Sequence, residues 1–125
     1  MGDIIKETFP VNQLMPFIYS KMNKEGRIRL NQDWVRVGSS RMKTFALKGI
    51  KCASCGIEGS FFRKELDKHS IRDIYHLNLY AISLHGKFIL MTKDHIIPLC
   101  RGGKGTLDNL QTMCQPCNNN IKGNK

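Results

Sequence analysis

The sequence predicts a small α+β protein, and three observations carry that prediction. Two runs rich in strand-forming residues, 74–84 and 87–95, flank a His85-Gly86 turn. Short stretches with apolar residues at helical spacing lie elsewhere in the chain. Two identical Cys-x-x-Cys pairs, Cys52 with Cys55 and Cys114 with Cys117, bracket the two strand runs.

Residues 1–49 read as an N-terminal extension of helical character. Within 11–24, Leu14, Phe17, Ile18 and Met22 fall at roughly helical spacing. Pro16 makes a helix there begin late or kink, and Glu25-Gly26 ends it. Residues 27–30 read as a short strand with Ile28 and Leu30 on one face. Ser39 and Ser40 suit the cap of a helix over 41–48, and Gly49 suits the left-handed position after its last turn. Arg41, Lys43 and Lys48 make that helix charged. A solvated face is the default reading, a polyanion-facing one the alternative.

Residues 50–125 form the second region. Cys52-Ala-Ser-Cys55-Gly56 has the form of a metal knuckle, with Gly56 relaxing the turn. Residues 60–63 read as a strand. A two-residue turn at His85-Gly86 would pair Leu84 with Lys87 and therefore His76 with His95, a register that a slip of one residue would undo. His76 then either faces His95 or stands on an exposed strand face. His69 and His85 read as surface and turn residues. After His95 comes Ile96-Ile97-Pro98-Leu99. Residues 100–105 then hold three glycines and two cations, a flexible basic loop. A short polar helix follows from about Pro116, with Asn118, Asn119 and Asn120 in its first turns.

A chain of 125 residues suits one compact domain or a domain with a short extension. Its net charge of +10, from 20 Lys and Arg against 10 Asp and Glu, favours a nucleic acid partner over a merely soluble basic surface. No apolar run approaches the ~20 residues that cross a bilayer. The first residues lack the pattern of a secretory signal. A cytoplasmic protein without a membrane partner is therefore expected. Five cysteines, an odd number, argue against a disulfide framework.

The paired Cys-x-x-Cys motifs point to one structural zinc on Cys52, Cys55, Cys114 and Cys117. Thiolate is a soft ligand, tetrahedral Zn²⁺ takes four, and a site filled by protein leaves no place for water. A redox pair and buried free thiols are the competing readings. One Cys-x-x-Cys would serve redox chemistry, so zinc ranks above both. Cys100 is left over.

Asp94-His95 sets a hard oxygen ligand beside an imidazole at the end of a strand. In order, the chain holds Cys52-x-x-Cys55, Asp94-His95-Ile96-Ile97-Pro98, Gly102-Gly103, Asn109-Leu110-Gln111 and Cys114-x-x-Cys117-Asn118. This series resembles the HNH endonuclease family, most closely its small phage-encoded members, over residues 50–125. Residues 1–49 lie outside the likeness. The resemblance implies a ββα-metal (His-Me finger) core, a two-stranded ribbon on one helix with a divalent cation between them. The four-cysteine zinc knuckle and the helical extension would stand beside it. It implies His95 as general base and Asp94 as metal ligand. Asn109 would hold the His95 segment through backbone hydrogen bonds. Asn118, in place of the family's final histidine, would be the second metal ligand. Two oxygen ligands favour Mg²⁺ or Mn²⁺. Cys100 stands where many relatives have Ser. A lysine that many relatives carry four residues after the last cysteine is Ile121 here, with Lys122 about 100° further round the helix.

The function so implied is metal-dependent hydrolysis of DNA phosphodiester bonds, by nicking or double-strand cleavage, in the cytoplasm (the host's, were the chain phage-encoded). Lys93, Arg101, Lys104 and Lys122 flank the site as candidates for DNA contact, and residues 1–49 would add DNA contacts or packing. So short a chain has little room for a specificity module, which points to low sequence specificity or a homodimer. The alternative from another class is a non-catalytic zinc-ribbon DNA-binding module, which would have no use for the Asp94 carboxylate beside a basic loop.

Overall fold

The computed structural model describes residues 4–66 and 74–123, the side chains of residues 4–6, 17, 19, 20 and 121–123 excepted. His69 and the Lys122 side chain thus lie outside the described residues. Contacts gather the chain into two units, residues 1–39 with 60–80 and residues 40–59 with 81–125. Among the described residues no helix is long and apolar enough to cross a membrane.

The first unit is a sheet with one helix. Its elements are β1 (Ile4–Pro10), α1 (Val11–Lys21), β2 (Arg27–Leu30), β3 (Asp33–Arg36), β4 (Gly59–Leu66) and β5 (Tyr75–Ile82). The strand order is β1-β4-β5-β3-β2. β1 runs antiparallel to β4 and β2 to β3, while β3 runs parallel to β5. The helical N-terminal extension expected from sequence is not evident, because strands outnumber helices there. Residues 4–10 and 33–36 carry no strand pattern of their own and are strands because β4 and β5 pair with them. α1 starts directly after the extended Pro10, keeps Pro16 inside it, and stops at Lys21, short of Glu25-Gly26. Leu14 and Ile18 on α1, with Ile28, Leu30, Val35, Phe62, Leu77 and Leu79 on the strands, are buried as the core.

Lys64 is buried in this unit, its side chain fully inaccessible. The ammonium donates to the Leu30 carbonyl and the Asp33 carboxylate, both at 3.0 Å, and pairs with Glu7. Burial alone would push Lys64 down; its bonds to Glu7 and Asp33 outweigh that and raise it. Lys64 and then Asn31 hold the Glu7 carboxyl below its usual value. A raised Lys64 stabilises the fold below its unfolded pKa, about 10.4, and loses that contribution as pH rises through the folded value. A lowered Glu7 contributes above about 4.3 and loses it as pH falls through the folded value.

The second unit holds α2 (Ser40–Lys48), β6 (Phe88–His95), β7 (Leu110–Cys114) and α3 (Gln115–Gly123). α2 buries Met42, Thr44 and Phe45, and Gly49, at φ 96°, returns its N–H to the Phe45 carbonyl at 3.0 Å. β6 and β7 are antiparallel, with Thr92 opposite Met113 and His95 opposite Leu110. The turn before β6 differs from the expected one. Gly86 N–H donates to Ser83 O and Ser83 N–H to Lys87 O, so three residues lie in the turn and Gly86 takes its left-handed position. Ser83, not Leu84, therefore closes on Lys87, and the pairing of His76 with His95 does not follow. His76 instead stands beside Arg36 in the first unit's sheet.

Replacing Lys64 by Ala leaves Glu7 and Asp33 facing a void. Urea unfolding at pH 7 should show a clear loss of stability, below the ~3–5 kcal/mol of a wholly buried pair because Glu7 and Asp33 keep some access to water.

Candidate active site

The knuckle comes first, because other pieces hang from it. Gly56, at φ 80°, lets the chain double back, so that Cys52 N–H reaches Ile57 O at 2.8 Å and Gly56 N–H reaches Cys52 O at 2.9 Å. Thr112 on β7 fixes it from the side. The Thr112 carbonyl accepts from Ala53 N–H at 2.8 Å, and its hydroxyl donates to Gly49 O at 2.6 Å. The result brings the sulfurs of Cys52, Cys55, Cys114 and Cys117 within 4.8 Å of one another, with Cys55 and Cys114 Sγ 3.7 Å apart. A tetrahedron of bonds of about 2.3 Å has edges of about 3.8 Å, so this cluster could hold one zinc ion. Burial opposes the Cys52 thiolate, but backbone N–H groups of Cys55, Cys114 and Ser54 outweigh it and bring the thiol down to about 6. Burial pushes the Cys114 thiol up. Four adjacent thiols cannot all ionise without a cation among them. Cys100 is exposed in a 3₁₀ turn and stands outside the cluster.

The remaining candidates lie on the β6–β7 ribbon and α3. Thr92 and Asp94 are two apart on β6 and so leave the same face. α3 covers that face: Asn118 Nδ2 donates to Thr92 Oγ1 at 3.0 Å and to Lys93 O at 3.2 Å. Thr92 has already given its proton to Met113 O at 2.8 Å. Both neighbours of the Asn118 amide can therefore only accept, which forces its NH₂ toward them and its Oδ1 away. That oxygen is buried and has no hydrogen-bond partner. Asp94 is 6% exposed like Asn118, and its carboxylate makes no hydrogen bond or ion pair among the described residues. A partnerless amide oxygen and a carboxylate are both oxygen donors of the kind a hard divalent cation takes.

His95 ends β6, half-buried, and its imidazole makes no hydrogen bond among the described residues. The next residues are clamped by Asn109. Its Oδ1 accepts from Ile97 N–H at 2.9 Å, and its Nδ2 donates to Ile97 O at 3.0 Å and Lys104 O at 2.7 Å. Its backbone carbonyl takes Ile96 N–H at 2.8 Å. The loop read as flexible is thus pinned, and Gly103 shows why it needs glycine: a Cβ there would sit 1.8 Å from Ile97 O and 2.9 Å from Asn109 Nδ2. Arg101 and Lys104 are exposed. Lys93 is half-buried and donates to Ser40 Oγ at the start of α2, so it is not a free surface cation.

Sequence reasoning missed β7, Thr92 and Thr112, and it quoted Gly103 without its cause. The β7 segment alternates too weakly to read as a strand. The two threonines carry no signal in a single sequence. Gly103 had one, the Gly-Gly pair before an Asn.

Two outcomes follow from this geometry. Metal analysis of the purified chain should find one zinc per molecule, and Cys52→Ser should lose both the zinc and the cooperative unfolding of the second unit. Gly103→Ala should keep the zinc yet lower the melting temperature, since the clash with Ile97 is with backbone and cannot be relieved by a side-chain rotation.

No curated protein and no solved structure matches the chain. The model of the HNH endonuclease family matches residues 87–125, a stretch that runs from the start of β6 through Asn109 and α3. Over residues 87–125 the chain is thus similar to the HNH endonuclease family.

Proposed function

We propose that the chain is a metal-dependent DNA endonuclease built on a ββα-metal core formed by β6, β7 and α3. The observation that carries this reading is the Asn118 Oδ1, buried without a partner on the face of β6 from which Asp94 projects. A divalent cation of the Mg²⁺ or Mn²⁺ kind, held by Asp94 and Asn118, would stabilise charge on the phosphoryl oxygens and on the leaving 3′ oxygen. His95, as neutral imidazole, takes the proton of the attacking water. Asn109 keeps His95 in place by tying Ile96, Ile97 and Lys104 into one clamp. Arg101 and Lys104, on the adjoining loop, draw in the phosphates. The products carry 5′ phosphate and 3′ hydroxyl. The structural ion on the four cysteines is zinc, and it takes no part in the reaction.

Supercoiled plasmid incubated with the chain should be cut with Mg²⁺ or Mn²⁺ and left intact with EDTA. His95→Ala should lower the rate by about 10²–10⁴-fold at unchanged zinc content, as loss of a general base does. Wild-type rates in that variant would assign the base elsewhere. No cutting of duplex, nicked, branched or single-stranded DNA with any divalent ion would leave a binding module.

Thr92→Val tests the amide's sense without touching either ligand. It should weaken Mn²⁺ binding, read by calorimetry, by about tenfold, whereas Thr92→Ser, which keeps the hydroxyl, should bind as wild type. Equal affinity in all three would show that Asn118 does not need that partner.

A further inference from the structure

The two faces of the first unit's sheet differ in chemistry. Alternation turns Ile28, Leu30, Val35, Phe62, Leu77 and Leu79 inward. The positions between them face the other way. Arg29 stands opposite Trp34 and Arg27 opposite Arg36, and Arg36 lies beside His76 on the neighbouring strand. On the far strands Arg63 lays its guanidinium over the ring of Tyr80, 4.7 Å from its centre, and the Phe61 and Tyr80 rings stack at 5.8 Å. Glu25 pairs with Arg27 at 3.6 Å, but no strand carboxylate pairs with Arg29 or Arg36 among the described residues. Glu7 and Asp33 turn inward to Lys64, and Glu65 accepts from Asn78 at 2.8 Å and Tyr80 at 2.7 Å. Arg29 and Arg36 are exposed and have no ion pair among the described residues. Trp34 is 42% exposed, with the Arg29 guanidinium 5.4 Å from its ring centre.

We propose that this outer sheet face binds a single-stranded stretch of nucleic acid, with Arg29 and Arg36 on phosphates and Trp34 against a base. Guanidinium groups match phosphate oxygens in pairs. Exposed rings on a sheet stack on unpaired bases, which a duplex keeps to itself. A partner that is both anionic and planar explains why rings and arginines are interleaved here, where a solvated strand face needs neither. The proposal takes from the nuclease reading only the kind of polymer. It needs no cleavage, so binding and cleavage can fail separately.

Trp34 is the chain's one tryptophan, so its emission reports on this face alone. The full chain, titrated with oligothymidylate in buffer without added divalent ions, should show saturable quenching. Arg29→Ala with Arg36→Ala should weaken binding at least tenfold, and the slope of log K against log salt should shrink by about 1.4, at about 0.7 per phosphate contact. Both arginines are exposed, so the fold should not suffer. Arg29→Lys with Arg36→Lys should restore the salt slope. Three results would each overturn the proposal. One is unchanged Trp34 emission while a labelled oligonucleotide's anisotropy rises. Another is wild-type affinity in the double Ala variant. The third is equal quenching by a duplex of the same length.

Discussion

Four sulfurs within 4.8 Å of one another are the constraint on which the second unit depends. They join the knuckle at residues 52–55 to the end of β7 and the first turn of α3, two places far apart in sequence. Without a cation among them, the thiols would repel one another on ionising, and the knuckle would keep the bond from Ala53 N–H to the Thr112 carbonyl as its tie to β7. Asn118 follows Cys117 directly. Its place over β6 is thus set by the cluster, although it does not belong to it. The cysteine cluster and the Asn118 amide are separate in chemistry and continuous in geometry.

Two asparagines illustrate how the same side chain serves opposite ends. Asn109 is satisfied on both sides of its amide, by Ile97 N–H on the oxygen and by two carbonyls on the nitrogen, and it acts as a rivet. Asn118 is satisfied only on its nitrogen. A buried amide oxygen without a partner costs about 1–3 kcal/mol, and that cost makes sense where a bound cation removes it. The difference rests on Thr92, whose proton already belongs to Met113 and which therefore cannot turn to Asn118 as donor.

The parts legible in sequence were those with local signals. The strand over residues 27–30 matches β2, the helix after Ser39-Ser40 ends on Gly49, and the cysteine spacing led to the cluster. Gly86 was read as a turn glycine, but its rank within the turn depends on which carbonyl its N–H finds, and Ser83 took it. β1, β3 and β7 were invisible because their partners, not their residues, make them strands. The Lys64 pairing joins β4 to Glu7 on β1 and Asp33 on β3, a reach that no window on one sequence detects. Asp94, His95, Asn109 and Asn118 could be picked out by resemblance. The reason Asn118 presents oxygen rather than nitrogen lies in the proton of a threonine on another element.

That orientation leads to the most direct measurement. In a nitrogen–proton correlation spectrum of the zinc-loaded chain, substoichiometric Mn²⁺ should broaden the amide signals of Asp94 and Asn118 before those of Gly49 and Ile57, as an ion held between β6 and α3 would. Broadening centred instead on exposed carboxylates such as Glu25 or Asp108, or no broadening at Asp94 and Asn118 at saturating Mn²⁺, would contradict a catalytic cation held by this pair.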